Sequence, residues 1–158
     1  MADCINPAGP VLNALLLPLA GCQLLVPQLV VAELVDFQSP RPLAGMPDGV
    51  LGEIRWREQP VPLLSFEVAC GAPACYPARA RIAVLNALAG QPGRPFIALL
   101  LQGIPRALRV SGRLPAAPRP PGLLEQAVAL VDGQPVAIPD LWALERLLEE
   151  GGPAQVSA

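Results

Sequence analysis

The chain carries few side chains that could do chemistry. Its 158 residues include no His, no Lys and no Thr, and only four serines. Without His there is no Ser-His or Cys-His nucleophile pair and no imidazole ligand for zinc or iron. Without Lys there is no P-loop and no Schiff base, and no serine lies in a G-x-S-x-G motif. The composition therefore disfavours an enzyme, and we expect no cofactor.

The reactive groups that remain are four cysteines, Cys4, Cys22, Cys70 and Cys75. The last two are close enough in sequence to share a metal ion, but a zinc site needs two more ligands and the other cysteines form no second close pair. We therefore expect buried, reduced thiols and no metal. A catalytic thiol at Cys70 or Cys75 is the enzymatic alternative, with only Arg79 and Arg81 as nearby positive charge.

The stretch ALLLPLAGC, residues 14–22, has the form of a lipoprotein signal that would be lipidated at Cys22. A secretory signal also needs a basic segment before its apolar stretch, and residues 1–13 contain Asp3 but no basic residue. Pro18 interrupts the helix that such a signal forms. Two apolar strands joined by a tight turn at the Ala-Gly pair explain the stretch better. A lipid-anchored envelope protein processed at Cys22 is the alternative function.

Charge and hydropathy limit the partners. The net charge is −2, which gives no indication of a nucleic-acid partner. A membrane-spanning helix across residues 11–35 would have to absorb Pro18, Gly21 and Pro27. We therefore expect neither nucleic-acid binding nor direct membrane insertion.

Short apolar runs lie between 21 prolines that are spread through the chain. Runs of strand length at such intervals predict a β-barrel or a β-sandwich. One helix is predicted over 139–150, where four leucines form a stripe and Gly-Gly follows. No internal repeat is apparent in the sequence. The predicted strands cover 14–19, 22–26, 29–35, 50–56, 60–66, 82–88, 95–101, 104–110, 125–131 and 135–138.

The most informative segment is GVLGEIRWREQPVPLLSF, residues 49–66. Strand geometry puts Glu53, Arg55 and Arg57 on one face, opposite Trp56. A solvated sheet surface explains this pattern. A partner-binding face explains it equally well, because Arg and Trp are enriched at interface hot spots.

This segment resembles the central motif of the CheW-like domain family, G-V-x-N-L-R-G-x-V-V-P-V-I-D-L. GEIRWREQPVPLLSF matches the motif in kind, with Gly52 and Arg57 at its glycine and arginine. Upstream, LLVPQLVVAELV resembles the family's preceding strand and sets Val31 and Glu33 at its valine and glutamate. MPDGVLG, FIALLLQGIPRALRV and EQAVALVDGQPVAIPDLWALERLL resemble further family segments in the correct order. The resemblance covers residues 12–150.

The resemblance implies a mainly β, CheW-like fold of two five-stranded β-barrel subdomains around a shared hydrophobic core, with a short C-terminal helix and no catalysis. It places the first barrel at approximately 12–75, the second at 80–138 and the helix at 139–150. Residues 1–11 would be a flexible N-terminus and residues 151–158 a frayed tail.

The function implied is that of a cytoplasmic adaptor recruited to membrane-associated chemoreceptor arrays. One barrel face would bind the regulatory domain of a CheA-type histidine kinase, and the groove between the barrels would bind the receptor's cytoplasmic tip. Within the family, the chain most resembles adaptors of systems that control type IV pili and twitching motility. Glu33 and Arg57 are expected to form an ion pair. The expected partner-binding residues are Val31, Glu33, Gly52, Arg55, Trp56, Arg57 and Glu58.

The chain departs from the motif at positions that bear on partner choice. The motif's Asn and Gly are Arg55 and Glu58 here, and two family Asp positions are Ser65 and Gln102. We expect Glu58 to alter the path of a turn that glycine normally forms. We also expect the two added charges to change partner preference.

Overall fold

The computed structural model describes residues 11–88, 95–111 and 114–150. Apart from Val11, the predicted flexible N-terminus lies outside the described residues, as do Cys4 and the predicted frayed tail. The described strands are β1 (Val11–Leu19), β2 (Cys22–Pro27), β3 (Val31–Asp36), β4 (Val50–Trp56), β5 (Gln59–Leu64), β6 (Arg81–Asn86), β7 (Phe96–Leu101), β8 (Arg106–Ser111), β9 (Glu125–Val131) and β10 (Gln134–Pro139). The helices are α1 (Phe66–Ala69) and α2 (Leu141–Glu150), and a single 3-10 turn spans Gln28–Val30.

Every strand predicted from the sequence is present, and the predicted helix is α2. Asp140 begins α2 by accepting a hydrogen bond from the Ala143 N–H at 3.0 Å. Helix α1 was not predicted, and Phe66 lies in it instead of in the preceding strand. Ser65 stops that strand because its hydroxyl accepts from the Val68 N–H at 3.2 Å and caps the helix.

The strands form two five-stranded sheets, as the predicted fold class requires. Sheet I has the order β8-β1-β2-β10-β9 and sheet II has the order β3-β6-β7-β5-β4. The β2–β10 and β5–β7 pairs are parallel, and the other pairs are antiparallel. The sheets do not divide the chain as expected, since each takes strands from both 12–75 and 80–138. Each parallel pair joins one strand from the first half of the chain to one strand from the second half. Two barrels built from consecutive halves of the chain would therefore lack both the β2–β10 and the β5–β7 pair.

The strand order contains a structural repeat that the sequence does not reveal. Strands β1–β5 with α1 and strands β6–β10 with α2 follow the same plan. In each repeat the first two strands join one sheet and the next three join the other. The repeats therefore exchange their first hairpins, which means that the first two strands of each repeat lie in the sheet formed by the last three strands of the other. Neither sheet can form from one repeat alone.

Each sheet curls until its edge strands are bridged by the segment that connects them. After β3, Arg41 pairs with Glu53 of β4, at the other edge of sheet II. After β8, Ala116 pairs with Ala129 of β9, at the other edge of sheet I. The bridging segments cover edges that would otherwise present unpaired backbone groups.

Three apolar cores explain why so many runs are apolar on both faces. In β6, Ile82 and Val84 point into sheet II, whereas Ala83 and Leu85 point into the core shared with sheet I. In β1, Leu16 points into sheet I and Leu17 into the shared core. A strand buried on both faces loses the polar alternation of a surface strand.

The lipoprotein-like stretch forms β1 and the turn that follows it. Leu19 pairs with Cys22 across a two-residue turn, and Gly21 has a φ of 80°, as the predicted tight hairpin requires. Strand β1 lies between β8 and β2, and processing at Cys22 would remove it from sheet I. Neither of the described helices is long and apolar enough to cross a membrane.

Candidate partner-docking surface

Strand β4 presents two faces of opposite character. Ile54 and Trp56 are buried inside sheet II, while Arg55 is exposed and Glu53 is partly exposed on the outside. This confirms the predicted alternation along the strand. Arg57 differs from the prediction, because β4 ends at Trp56 and Arg57 lies in the following turn.

Trp56 is 5% exposed, so it is a core residue and does not project an aromatic surface toward a partner. Its ring packs edge-on against Phe96 with centroids 4.7 Å apart. Its indole Nε1–H donates to Glu33 Oε1 at 3.0 Å. Trp56 therefore supports the surface from beneath.

Glu33 and Arg57 form the predicted ion pair between strand β3 and the β4–β5 turn. Arg57 Nη2 donates to Glu33 Oε1 at 3.1 Å, the same oxygen that accepts from Trp56. The guanidinium also lies over the Trp56 ring, 4.4 Å from its centroid. The Arg57 side chain is 66% exposed and the Glu33 side chain is 43% exposed. Because both are exposed, the pair contributes under about 1 kcal/mol to stability. The arrangement fixes the direction of Arg57 at the surface.

The β4–β5 turn holds two non-glycine residues in left-handed backbone. Arg57 has a φ of 51° and Glu58 a φ of 64°, the signs of a type I′ hairpin turn. Each such residue costs on the order of 1 kcal/mol relative to glycine. The turn has two residues, because Trp56 pairs with Gln59.

Arg55 is exposed and held in place from two sides. Gln38 pairs its side-chain amide with the backbone of Arg55, accepting from the N–H and donating to the carbonyl, each at 3.1 Å. The Arg55 guanidinium donates to the backbone carbonyl of Glu58 at 3.1 Å. Arg55 therefore lies beside the turn with its charge facing solvent.

Gly52 has a backbone role at this surface and is itself buried. Its φ is 144°, and a Cβ built there would lie 2.3 Å from the Arg41 carbonyl oxygen. The close approach allows Arg41 and Glu53 to exchange backbone hydrogen bonds at 2.8 and 2.9 Å. The Arg41 guanidinium also pairs with the Glu53 carboxylate. Gly52 thus closes sheet II and offers no side chain to a partner.

Val31 lies away from the ion pair, although it is only two residues from Glu33. A β-bulge between them breaks the register with β6, so the two side chains do not share a face. Val31 packs against the shared core and lines a hollow of about 630 Å³ with Leu29 and with Val11 and Leu12 of β1. This hollow lies where sheet I meets sheet II, at the predicted groove between the barrels.

The groove has an apolar and exposed rim that sequence reasoning did not single out. Leu29 is 87% exposed, and Val11 and Leu12 are each nearly half exposed. Asn86 Nδ2 donates to the Leu29 and Val30 carbonyls at 3.3 and 3.4 Å, which steadies the 3-10 turn. The sequence signal was present, because Leu29 and Val31 belong to one apolar run. The exposure of Leu29 depends on the 3-10 turn at Gln28–Val30, which was not predicted.

A buried carboxylate connects the sheets behind this surface. Glu67 of α1 accepts from the Ala20 N–H at 2.8 Å, from the Ser65 hydroxyl at 3.2 Å and from Gln102 Nε2 at 3.2 Å. Ser65 and Gln102 stand where the family motifs carry Asp. An Asp at either position would repel Glu67, whereas Ser and Gln donate hydrogen bonds to it. These two departures therefore stabilise the interior.

The second helix repeats this connection. Glu145 of α2 is buried and accepts from the Leu88 N–H, after β6, at 2.6 Å. In both repeats the helix after the fifth strand supplies a glutamate to the connection between the first two strands. The exchanged hairpins are thereby tied to the helices of their own repeats.

The cysteines are less buried than expected. Cys22 is half-buried, whereas Cys70 and Cys75 are exposed, and these three are free thiols. Burial, followed by the charge of Glu67, raises the pKa of Cys22, and burial also raises the pKa of Cys70. A raised pKa keeps these two thiols protonated at neutral pH, which disfavours Cys70 as a nucleophile. Among the described residues no three His, Cys, Asp or Glu side chains are grouped to hold a metal.

Comparisons with known proteins agree with this architecture. Residues 13–149 match the CheW-like domain family. The chain is also similar to the crystal structure of the scaffolding protein TtCheW from Thermoanaerobacter tengcongensis, with a TM-score of 0.67 and 17% sequence identity over 87% of this chain and 90% of that chain. No curated protein sequence gives a significant match. At this level of identity, the structural likeness establishes the fold.

Proposed function

The chain belongs to the CheW-like domain family, and from this membership we propose that it is a non-enzymatic, cytoplasmic adaptor between a chemoreceptor and a CheA-type histidine kinase. It works through binding energy alone. The kinase's regulatory domain docks on the polar edge of sheet II, and the receptor's cytoplasmic tip docks in the groove between the sheets.

The observation that carries the kinase site is the Glu33–Arg57 pair on its Trp56 support. An exposed pair of this kind adds little to folding, yet two side chains, Glu33 and Trp56, fix one guanidinium. Arginine directed in this way is a typical interface anchor. The preorganisation of Arg57 therefore favours a docking role over a structural one.

The receptor site is supported by the apolar rim of the groove. Leu29 projects almost fully into solvent, and Val11, Leu12 and Val31 line the hollow beside it. An amphipathic helix presents a stripe of apolar residues to such a groove. The tip of a helical receptor has the shape and polarity that this surface requires.

A finer assignment concerns the signalling system. The chain resembles ChpC, an adaptor of the system that controls type IV pili and twitching motility. Its composition, rich in Ala and Pro with Arg as the only basic residue type, agrees with a high-GC genome of that kind. Deletion of the gene should reduce the twitching zone on agar without abolishing pilus assembly. An unchanged twitching zone and altered swimming would instead assign the adaptor to a flagellar system.

Calorimetry with both partners tests the proposal. The regulatory domain of the kinase and a receptor-tip fragment from the same genome should each bind the full chain. Arg57→Glu should weaken kinase binding at least tenfold and leave receptor binding unchanged, and Leu29→Asp should do the reverse. Arg106→Glu and Leu123→Asp, exposed positions on the sheet I side, are the matched controls.

The melting temperature separates docking from folding in this test. Because the Arg57 pair is exposed, Arg57→Glu should change stability by less than about 1 kcal/mol. A large loss of stability would show that Arg57 is structural. Failure of the folded wild-type chain to bind either partner would reject the proposal.

A further inference from the structure

We infer that Arg55 and Glu58 make the docking surface charge-selective, and that they fit a kinase domain presenting an acidic side chain to Arg55 and a basic one to Glu58. The inference rests on the proposed function, since it concerns the kinase surface on sheet II. It goes further by assigning the choice of partner to the two residues that replace the motif's Asn and Gly.

The first observation is that Glu58 occupies a strained position in which its backbone carbonyl accepts from Arg55 but its side chain has no ion-pair partner among the described residues. Its φ is 64°, and its exposed carboxylate contacts no cation in the part of the chain that the structure describes. The neighbouring Arg57 is also strained, but its guanidinium is engaged by Glu33 and by the Trp56 ring. Strain that the fold does not offset points to a role outside the fold.

The equivalent turn of sheet I shows which residues suit this left-handed backbone in a turn that only connects two strands. The β9–β10 turn has the same φ signs, 51° at Asp132 and 78° at Gly133. Asp tolerates left-handed backbone better than Arg or Glu does, and glycine adopts it freely. Glu58 therefore puts a charged side chain at the turn position where the other repeat has Gly133.

The second observation is that Arg55 is fixed but not neutralised. Its guanidinium donates to the Glu58 carbonyl at 3.1 Å, and no described carboxylate lies within ion-pair distance of it. Glu33 is paired with Arg57, and Glu53 is paired with Arg41. A guanidinium has five N–H donors, so Arg55 keeps most of its hydrogen-bonding capacity for a partner.

Together these residues place a positive charge that one hydrogen bond holds beside an exposed negative charge at one turn. A partner surface that presents an acidic side chain to Arg55 and a basic one to Glu58 is attracted by both residues. A partner surface with these two charges exchanged is repelled by both. Because the Arg55 side chain is already held, little conformational freedom is lost on binding. The turn thus distinguishes between kinase domains that share the same fold.

Salt-dependent binding of the kinase regulatory domain to the full chain tests the inference. Raising NaCl from about 0.1 M to about 1 M shortens the screening length from about 10 Å to about 3 Å. We expect wild-type affinity to fall on the order of tenfold, as for rim charges. The variant Arg55→Asn/Glu58→Gly should bind more weakly at low salt and respond little to added salt. The reversed variant Arg55→Glu/Glu58→Arg should bind weakest and gain affinity as salt is added.

A matched variant in sheet I controls for charge and for turn chemistry. Arg109→Asn/Asp132→Gly makes the same net change of charge at an exposed strand residue and at the equivalent turn. It should bind like the wild type at both salt concentrations. If wild type binds the kinase domain and both variants at the sheet II turn keep its affinity and salt response, the inference fails and the proposed function stands. If wild type does not bind that domain, the inference fails together with the kinase part of the proposed function.

Discussion

The edge strands of sheet II add a hydrogen bond between Glu33 and Trp56 to their shared apolar core, whereas β8 and β9 of sheet I contribute Leu108 and Val131 to an apolar core. In sheet II, β3 carries Glu33 and β4 ends in Trp56, whereas in sheet I β8 carries Leu108 and β9 ends in Val131. The Trp56 indole bonds to Glu33, while Leu108 packs with Val131 in the core of sheet I. One strand plan thus supports a charged, oriented surface in one sheet and an apolar closure in the other.

This comparison teaches that the backbone plan and the docking chemistry are separable. The exchanged hairpins, the parallel pairs and the helix glutamates recur in both repeats, so they belong to the architecture. Among the described residues, the contact of Glu33 with Trp56 and Arg57 occurs only in sheet II, and it adds little stability. Variants of equivalent residues in the two sheets can therefore show which features fold the chain and which bind partners.

The largest expected effect is at the glycine that closes sheet II. Gly52→Ala should lower the free energy of unfolding by about 3 kcal/mol or more, because the new Cβ would meet the Arg41 carbonyl and the φ of 144° disfavours alanine. Gly133→Ala meets no atom within 4 Å and should cost only about 1 kcal/mol. Urea unfolding midpoints measure both. Equal losses would show that the Arg41 contact does not close the sheet.

The next effect concerns the two helix glutamates. Glu67→Ala and Glu145→Ala should each cost about 1–3 kcal/mol, because each removes a buried carboxylate that accepts a part-buried backbone hydrogen bond. The same unfolding assay measures them. A loss at one position with none at the other would contradict the repeat that assigns both residues the same role.

Much of this architecture could be predicted from the sequence, because local pattern determines it. Apolar runs between prolines located the strands, the leucine stripe located α2, and the Ala20–Gly21 pair located the first turn. Motif resemblance located the Glu33–Arg57 pair. Each of these signals is a local sequence pattern or, for the ion pair, two known motifs whose glutamate and arginine are expected to face each other.

The rest depends on contacts between distant residues. The exchange of hairpins depends on the parallel pairs β2–β10 and β5–β7, and no local pattern specifies those partners. Trp56 was expected at the partner surface but is buried, since its neighbour Phe96 comes from β7. Val31 was grouped with Glu33, but the bulge that separates them is a property of pairing with β6. The repeat itself is hidden because equivalent positions carry different side chains.

The smallest effect has the opposite sign. Glu58→Gly should raise the free energy of unfolding by about 1 kcal/mol, or the melting temperature by about 2–4 °C, because glycine relieves the left-handed backbone. Asp132→Gly in the equivalent turn should stabilise less, since Asp tolerates that conformation better. Differential scanning calorimetry resolves the difference. A destabilised Glu58→Gly variant would mean that the Glu58 side chain supports the fold.

Amide hydrogen exchange of the full chain, with and without the kinase regulatory domain, tests most directly whether sheet II carries the docking surface. The account predicts slower exchange in peptides that cover β3 and the Arg57–Glu58 turn. It predicts unchanged exchange at β8 and the Asp132–Gly133 turn. Protection confined to β8 and the Asp132–Gly133 turn, with none at Arg57–Glu58, would contradict it.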